Sequence, residues 1–280
     1  MVLGMGDEVI VVIGLGEVGM PIYEIALDAG VRAYGYDADP AKRIHELSQV
    51  PRPVEFMHVA FPCRSGDEFV DAVVGYAREL KAKAIVIHST VVPGTTRDIW
   101  RRLGIPVAYS PVRGKHPNLK RHLKMWPKWV ASADPGQVGL FVKHLEELGF
   151  EVKTAGKPET LELAKLWETV YRAVMIASWQ EVHRIAREVG ANLKAIAEFV
   201  AEVHEVLGDR PVYYPGFIGG HCLIPNTKLL AQVHPSKLFE FILESNGARW
   251  HEVRDPDVLK EVNEVKEVWR KLANTSYYGE

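Results

Sequence analysis

The stretch EVIVVIGLGEVGMPIYEIALDAGVRAYGYD, residues 8–37, decides the fold of the first half of the chain. EVIVVIG is a continuous apolar run that stops at a glycine, the pattern of a strand buried on both faces. EVGMPIYEIALDAG then takes helical spacing and closes at Gly30. VRAYGYD reads as a second strand ending at Asp37. A strand, a glycine-rich turn, a helix and a strand with a terminal acid form a dinucleotide-binding unit. In GLGEVG, Gly14 makes the tight turn and Gly16 lets a diphosphate approach the backbone. Gly19 lets the helix pack closely on the strand, and Glu17 and Val18 lie between the last two glycines. The first turn of the helix faces the phosphates. Asp37 would accept hydrogen bonds from the ribose hydroxyls and repel a 2′-phosphate, so the expected cofactor is NAD rather than NADP.

Beyond this unit the alternation continues. MHVAFPC (57–63), AKAIVIHST (82–90), IPVAYSP (105–111) and WVASA (129–133) read as strands, and FEVKTA follows a further helix. Helices are expected at about 67–80 and 135–149. Residues 1–155 therefore read as an N-terminal Rossmann domain with a doubly wound parallel sheet. After GKPET the pattern changes. Residues 158–190 open with Pro158 and Glu159, close at Gly190 and hold no glycine between, which predicts one long central helix. Much of its surface is apolar, so it should be covered on more than one side, for instance by a second subunit. Further helices are expected at 192–207, 226–233, 235–247 and 255–273. Residues 156–280 read as an all-helical domain interrupted by a loop at 208–225.

Bulk properties narrow the function classes. The 280 residues carry a formal net charge of -2, which gives no electrostatic case for nucleic acid or an anionic membrane. No apolar run approaches the length of a membrane span, and the N-terminus lacks a basic segment and a cleavage site. Two cysteines, Cys63 and Cys222, cannot build a disulfide framework, and a cytoplasmic protein is expected. Sparse Asn and Gln beside plentiful Glu, Lys, Arg and Val point to a thermophile. No second His/Cys cluster has ligand spacing, so no metal is expected.

Four segments occur in order: IGLGEVGMPIYEIALDAGVRAYGYD, HSTVVPGTT (88–96), LAKLWETVYRAVMIASWQEVHRIAREVGAN (163–192) and PGFIGGHC (215–222). Together they resemble the UDP-glucose/GDP-mannose dehydrogenase family, along nearly the whole chain. The resemblance implies an NAD-dependent oxidation of a nucleotide sugar's primary alcohol to a carboxylate, with two NAD per turnover. It also implies a Rossmann domain, a helical dimerising middle and a second nucleotide-binding domain. The sequence ends where the middle domain ends. The remaining domain is then expected to be missing or supplied by a separate chain.

Carried over by position, Cys222 is the thiol that attacks the intermediate aldehyde. Taken alone, a lone cysteine is more often a small buried hydrophobe. Gly219 and Gly220 would let the backbone approach the substrate and offer N–H groups to an oxyanion, and His221 could tune the thiol. Lys165 matches the family's lysine on the long helix, where an ammonium stabilises an alkoxide; a snorkelling surface lysine is the plainer reading. Thr90 and Pro93 match the loop over the nicotinamide half of the cofactor, and a Ser or Thr there also reads as a helix cap. RGKHPNLKRHLK (113–124) is either a solvated basic face or a phosphate site built on Arg113, Lys115 and His116. Cys63 and Glu181 read as structural.

Three positions depart from the family's pattern. Thr169 stands where an asparagine is usual, Asn226 where an aspartate is usual, and Val112 where a glutamate is usual. Those groups orient water, move protons and resolve the thioester. Their loss predicts a weakened hydrolytic half, a reaction that stops at two electrons, or a protein that only binds NAD. A short hydroxyacid dehydrogenase using Lys165, with Cys222 incidental, is the alternative enzyme.

Overall fold

The computed structural model describes residues 8–63 and 65–273. The chain divides into two compact units, one ending at Lys165 and the other starting at Leu166.

The first unit is built on seven strands: β1 (Val9–Ile13), β2 (Arg32–Tyr36), β3 (Phe56–Val59), β4 (Ala84–Ile87), β5 (Val107–Tyr109), β6 (Lys128–Ser132) and β7 (Val152–Thr154). Their order in the sheet is β2-β1-β3-β4-β5-β6-β7. All five residues of β1 and all four of β3 and β4 are buried, as strands covered on both faces must be. The helices are α1 (Gly19–Asp28), α2 (Gly66–Leu80), α3 (Thr95–Leu103), the short α4 (Leu119–Leu123) and α5 (Val138–Glu147). α2 packs its buried Phe69, Val70, Val73 and Ala77 under one face, while α1 and α5 bury Ile22, Ile25, Phe141 and Leu145 under the other.

The sheet is parallel through β5, and then β6 reverses: Ala108 pairs with Ser132 and Tyr109 with Ala131 in antiparallel register. A parallel return needs a crossover helix long enough to carry the chain back to the opposite edge. Here the β5–β6 connection holds only the five-residue α4, whose Leu119 and Leu123 are buried with the α1 face. Lys120 of α4 pairs with Glu24 and Asp28 of α1. The chain therefore turns back where β5 ended, and β6 starts there with Lys128.

Chain order steps outward from β1 to β2 and then resumes on the far side of β1 at β3. This leaves a crevice where the loops after β1 and β3 separate, the place where doubly wound sheets take their ligands.

α6 (Pro158–Val189) is one helix of 32 residues, matching the long central helix read from the sequence. The second unit continues with α7 (Leu193–Leu207), α8 (Leu223–Val233), α9 (Lys237–Glu252) and α10 (Pro256–Leu272). Leu166, Val170, Ala173 and Ala177 of α6 are buried with Leu230 of α8 and Phe239 and Ile242 of α9. Val265 and Val268 of α10 are buried with Ala197 and Ala201 of α7. Among the described residues, no helix is long and apolar enough to cross a membrane.

Candidate functional site

In the first unit the glycine loop has the geometry a dinucleotide needs. Gly14 holds φ +91, and a Cβ there would meet the Phe61 backbone nitrogen at 2.7 Å. A Cβ on Gly19 would lie 1.7 Å from the Gly14 carbonyl oxygen, so only glycine lets α1 start this close to β1. Gly16 has nothing within 4 Å of its Cβ position, leaving the open face that a diphosphate would take. Glu17 is exposed and Val18 half-buried at the entry to α1. The Asp37 carboxylate accepts from Leu15 N at 2.6 Å and from Asp39 N at 2.8 Å. It therefore ties the glycine loop to the end of β2, and each oxygen keeps a lone pair for a ribose hydroxyl. These residues fit NAD.

HSTVVPGTT is the entry to α3, whose N-cap is Gly94. Glu162 of α6 caps it. Its Oε2 accepts from Gly94 N at 2.7 Å, and its Oε1 accepts from Thr96 N at 2.9 Å and Thr96 Oγ1 at 2.6 Å. The side chain is fully buried. Burial raises its pKa, and the hydrogen bonds from Thr96 and Gly94 oppose that rise. Arg97 and Glu159 pair beside it at 2.5 Å. This cap holds the segment that carries Thr90 and Pro93. Glu162→Leu should cost at least about 3 kcal/mol, because it strands three donors that each lose about 1–3 kcal/mol when unmet. Urea unfolding checks this, and a loss below about 1 kcal/mol would show that the cap contributes little.

Where β5 ends, the sequence reading missed Lys128. Its Nζ donates to the Ser110 and Pro111 carbonyls, each at 2.8 Å, and the residue is only 4% exposed. Burial first, then Lys165 and Arg113, push its pKa well below the ordinary lysine value. Lys165 and Arg113 are thus each within electrostatic reach of Lys128, and their charges would favour a phosphate or a developing alkoxide nearby. Arg113 also donates to Pro127 O at 2.6 Å and lies over the Trp126 ring. Lys115 and His116 are exposed, and Lys115 N donates to His122 Nδ1 at 3.0 Å. Val112 is buried in the apolar face and offers no polar atom from its side chain.

Three buried histidines run on from Lys128. His88 Nδ1 lies 2.7 Å from the Ser110 carbonyl, His58 Nδ1 lies 2.9 Å from His88 Nε2, and His144 Nε2 lies 2.9 Å from His58 Nε2. Burial lowers all three pKa values, that of His144 to about 3. The tautomers follow from the partners. Lys128 Nζ also lies 3.4 Å from His88 Nδ1, but the carbonyl is much the shorter contact and only accepts, so His88 Nδ1 is assigned the proton; His58 Nδ1 then donates to His88, and His144 Nε2 donates to His58.

In the second unit, Cys222 occupies the N-cap of α8, exposed and in no disulfide. The preceding loop is pinned from both sides of one residue. Ile218 N donates to Asn246 Oδ1 at 2.7 Å, and Asn246 Nδ2 donates to Ile218 O at 3.1 Å. Gln180 Nε2 holds Gly216 O at 2.8 Å, and Ser245 Oγ donates to Gln180 Oε1 at 2.7 Å. Gly219, Gly220 and His221 beyond this anchor are exposed, and Gly220 takes φ +78. The anchor residues were not singled out from the sequence. Polar Gln180, Ser245 and Asn246 inside otherwise packed helices were the available signal.

Asn226, one turn after Cys222, donates from Nδ2 to Thr169 Oγ1 at 2.8 Å. The Thr169 hydroxyl in turn donates to Leu166 O at 2.9 Å. The two residues that depart from the family's pattern thus satisfy each other as a buried, uncharged pair. Arg249, fully buried, donates to Gln180 O at 2.8 Å and lies 2.9 Å from His183 Nδ1; burial pulls its pKa down to about 10.

Residues 159–247 match the UDP-glucose/GDP-mannose dehydrogenase family, central domain. The chain is 26% identical to the UDP-N-acetyl-D-mannosamine dehydrogenase of Methanocaldococcus jannaschii over 268 residues, covering 79% of this chain and 60% of that protein. It thus spans less than two thirds of that relative's length. Among solved structures it superposes on a UDP-D-ManNAc dehydrogenase from Pyrococcus horikoshii with TM-score 0.75 at 20% identity, covering 85% of this chain and 68% of the other. A 3-hydroxyisobutyrate dehydrogenase from Mycobacterium tuberculosis matches with TM-score 0.65 at 14% identity, covering 93% of this chain and 99% of the other. At these identities both structural likenesses describe the fold. Members of the nucleotide-sugar family use NAD as cofactor. The glycine loop in its sheet, the helical unit and the sequence match point the same way: residues 159–247 match the central domain of the UDP-glucose/GDP-mannose dehydrogenase family.

Proposed function

We propose that this chain is an NAD-dependent dehydrogenase of a UDP-sugar's primary alcohol, with Cys222 as its thiol nucleophile and a slowed hydrolytic step. The observation that carries the proposal is the placing of Cys222. It sits at the N-cap of α8, on a loop whose backbone is held on both sides of Ile218, one turn before the Asn226–Thr169 pair.

Bound NAD would accept hydride. The chain's own residues do the rest. Gly14, Gly16, Glu17, Val18 and Gly19 would cradle the diphosphate, Asp37 the adenosine ribose, and Thr90 the nicotinamide side. Lys165, with Lys128 near it, would stabilise the alkoxide as the alcohol loses its proton. The aldehyde left by the first hydride transfer would be attacked by the Cys222 sulfur, and transfer of a second hydride to a second NAD would give a thioester. Water must then cleave it. Asn226 and Thr169 can orient that water but carry no charge to take its proton, so the thioester should outlast the oxidations. Lys115, His116, Gly219, Gly220 and His221 would line the sugar-nucleotide side.

The test is stoichiometry. With UDP-N-acetylmannosamine or UDP-glucose and excess NAD, a burst of NADH should precede slow release of sugar acid, and a covalent adduct should appear on Cys222 by intact-mass measurement. Sugar acid formed without a burst and without an adduct would overturn the slowed step.

A second reading draws on the match to nearly the whole length of the 3-hydroxyisobutyrate dehydrogenase structure. There Lys165 would act on a small hydroxyacid and Cys222 would be idle. The exposed Trp167 and Tyr171 on α6 support a homodimer.

A further inference from the structure

The imidazole chain ends at a third group of side chains, far in sequence from the proposed chemistry. Glu8 immediately precedes β1, and His144 and Glu147 lie on the last turns of α5. One ring nitrogen of His144 and one carboxylate oxygen from each glutamate lie within 4.8 Å of one another. His144 is 2% exposed, and both glutamates are half-buried. Three groups with free lone pairs converge here from two elements.

The tautomer chain supplies the second observation. The Ser110 carbonyl places a proton on His88 Nδ1, which makes His58 the donor to His88 and His144 the donor to His58. His144 Nε2 is thereby committed as N–H, and its lone pair is on Nδ1. Among the described residues Nδ1 takes no hydrogen bond. A metal-bound imidazole usually donates its other N–H to a fixed acceptor, which sets both tautomer and ring angle. His58 provides that acceptor at 2.9 Å, and His144 also stacks on Phe56 with ring centroids 3.6 Å apart. The ring is thus held in one orientation beside two carboxylates, with its lone pair on Nδ1.

We propose that Glu8, His144 and Glu147 bind a divalent first-row transition ion, such as Zn2+, with water completing the coordination. One imidazole and two carboxylates suit that class, whereas Mg2+ and Ca2+ prefer oxygen alone. Zinc bonds to nitrogen and carboxylate oxygen run about 2.0–2.2 Å. The three atoms need to close up modestly, which the two partly exposed glutamates can do by side-chain rotation. Lys143, 69% exposed, pairs loosely with Glu147 at 3.6 Å and is readily displaced. The ion would tie the entry of β1 to the end of α5. It has no part in the proposed oxidation, and the inference does not rest on that reading.

The experiment is a ZnCl2 titration of the full chain by calorimetry, with MgCl2 as control. The chain holds eleven histidines, so weak surface binding is expected in every variant and the difference between variants decides. Wild type should take up one Zn2+ with an affinity about 100-fold above the Glu8→Gln/Glu147→Gln variant, and only wild type should gain thermal stability from the ion. Both substitutions are isosteric and partly exposed, so the variant should fold. Equal affinity in the two proteins, or an equal response to Mg2+, would overturn the site. His58→Leu, with folding verified by circular dichroism, should weaken Zn2+ roughly tenfold to 100-fold while all three ligands remain. Unchanged affinity there would overturn the role given to the imidazole chain.

Discussion

Taking the protein from pH 7 to pH 5 in the presence of a chelator should remove roughly 4–6 kcal/mol of stability, enough to unfold many domains. The cause is the row of His58, His88 and His144. Each ring is buried and uncharged in the folded chain, with a pKa well below 6.5, and that of His144 falls to about 3. In the unfolded chain each would titrate near 6.5. Above that pH both states are neutral and the rings contribute no pH dependence. As pH falls through 6.5 the unfolded chain takes up protons that the folded chain refuses, so stability drops. The loss is about 1.4 kcal/mol per pH unit for each ring and continues until the folded pKa is reached. Glu8 and Glu162 work in the opposite sense, because burial raises their folded pKa values and their protonation favours the folded state as pH falls. They reduce the slope without reversing it. Carboxylates held low by partners, such as Glu159 and Glu261, lose their contribution only below the range in question. Urea unfolding at half-unit steps from pH 7.5 to 5 measures the slope. A flat profile would mean that the rings are not held neutral.

Much of this architecture is legible in the sequence, for definite physical reasons. VIVVI before a glycine turn is short, β-branched throughout and bounded by glycine, which favours a strand covered on both faces over a helix segment. Residues 158–189 hold no glycine and no internal proline to stop a helix. The glycines of the cofactor loop are legible because each answers a steric demand that the structure shows: a positive φ at Gly14, and an approach to the Gly14 carbonyl at Gly19 that no Cβ permits.

What escaped the sequence has equally definite causes. The reversal of β6 depends on α4 packing on α1 instead of crossing the sheet, and local periodicity carries no sign of strand direction. α3 was hidden because its cap, Glu162, comes from 66 residues later in the chain. His58, His88, Lys128 and His144 are dispersed over three strand regions and a helix, and only the sheet brings them together. Ligand spacing along a chain detects metal sites built on one hairpin or one helix. It does not detect Glu8 meeting α5. The Thr169–Asn226 pair was visible as two separate departures, and the structure adds that they compensate each other.

Replacing Cys222 by serine should lower sugar-acid formation roughly 10³-fold or more while leaving NAD binding unchanged, because it removes the sulfur on which the second oxidation proceeds. The substitution alters one exposed atom at the N-cap of α8, a position where serine is well tolerated, so folding should be unaffected. The first oxidation does not use the thiol, so one NADH per sugar and free aldehyde should remain. Unaltered turnover on a hydroxyacid would instead assign the chemistry to Lys165. Asn226→Asp separates chemistry from packing at the same site. Asn226 now donates to Thr169 Oγ1, whose own proton goes to Leu166 O. An aspartate there has no proton to give, so the Thr169 hydroxyl must turn toward it, leaving a carboxylate one turn from the thioester. That carboxylate is the base that the neutral pair lacks. The variant should lose some stability through the broken bond to Leu166 and should release acid faster after the burst. Slower release would show that the uncharged pair, and not a missing base, sets the rate.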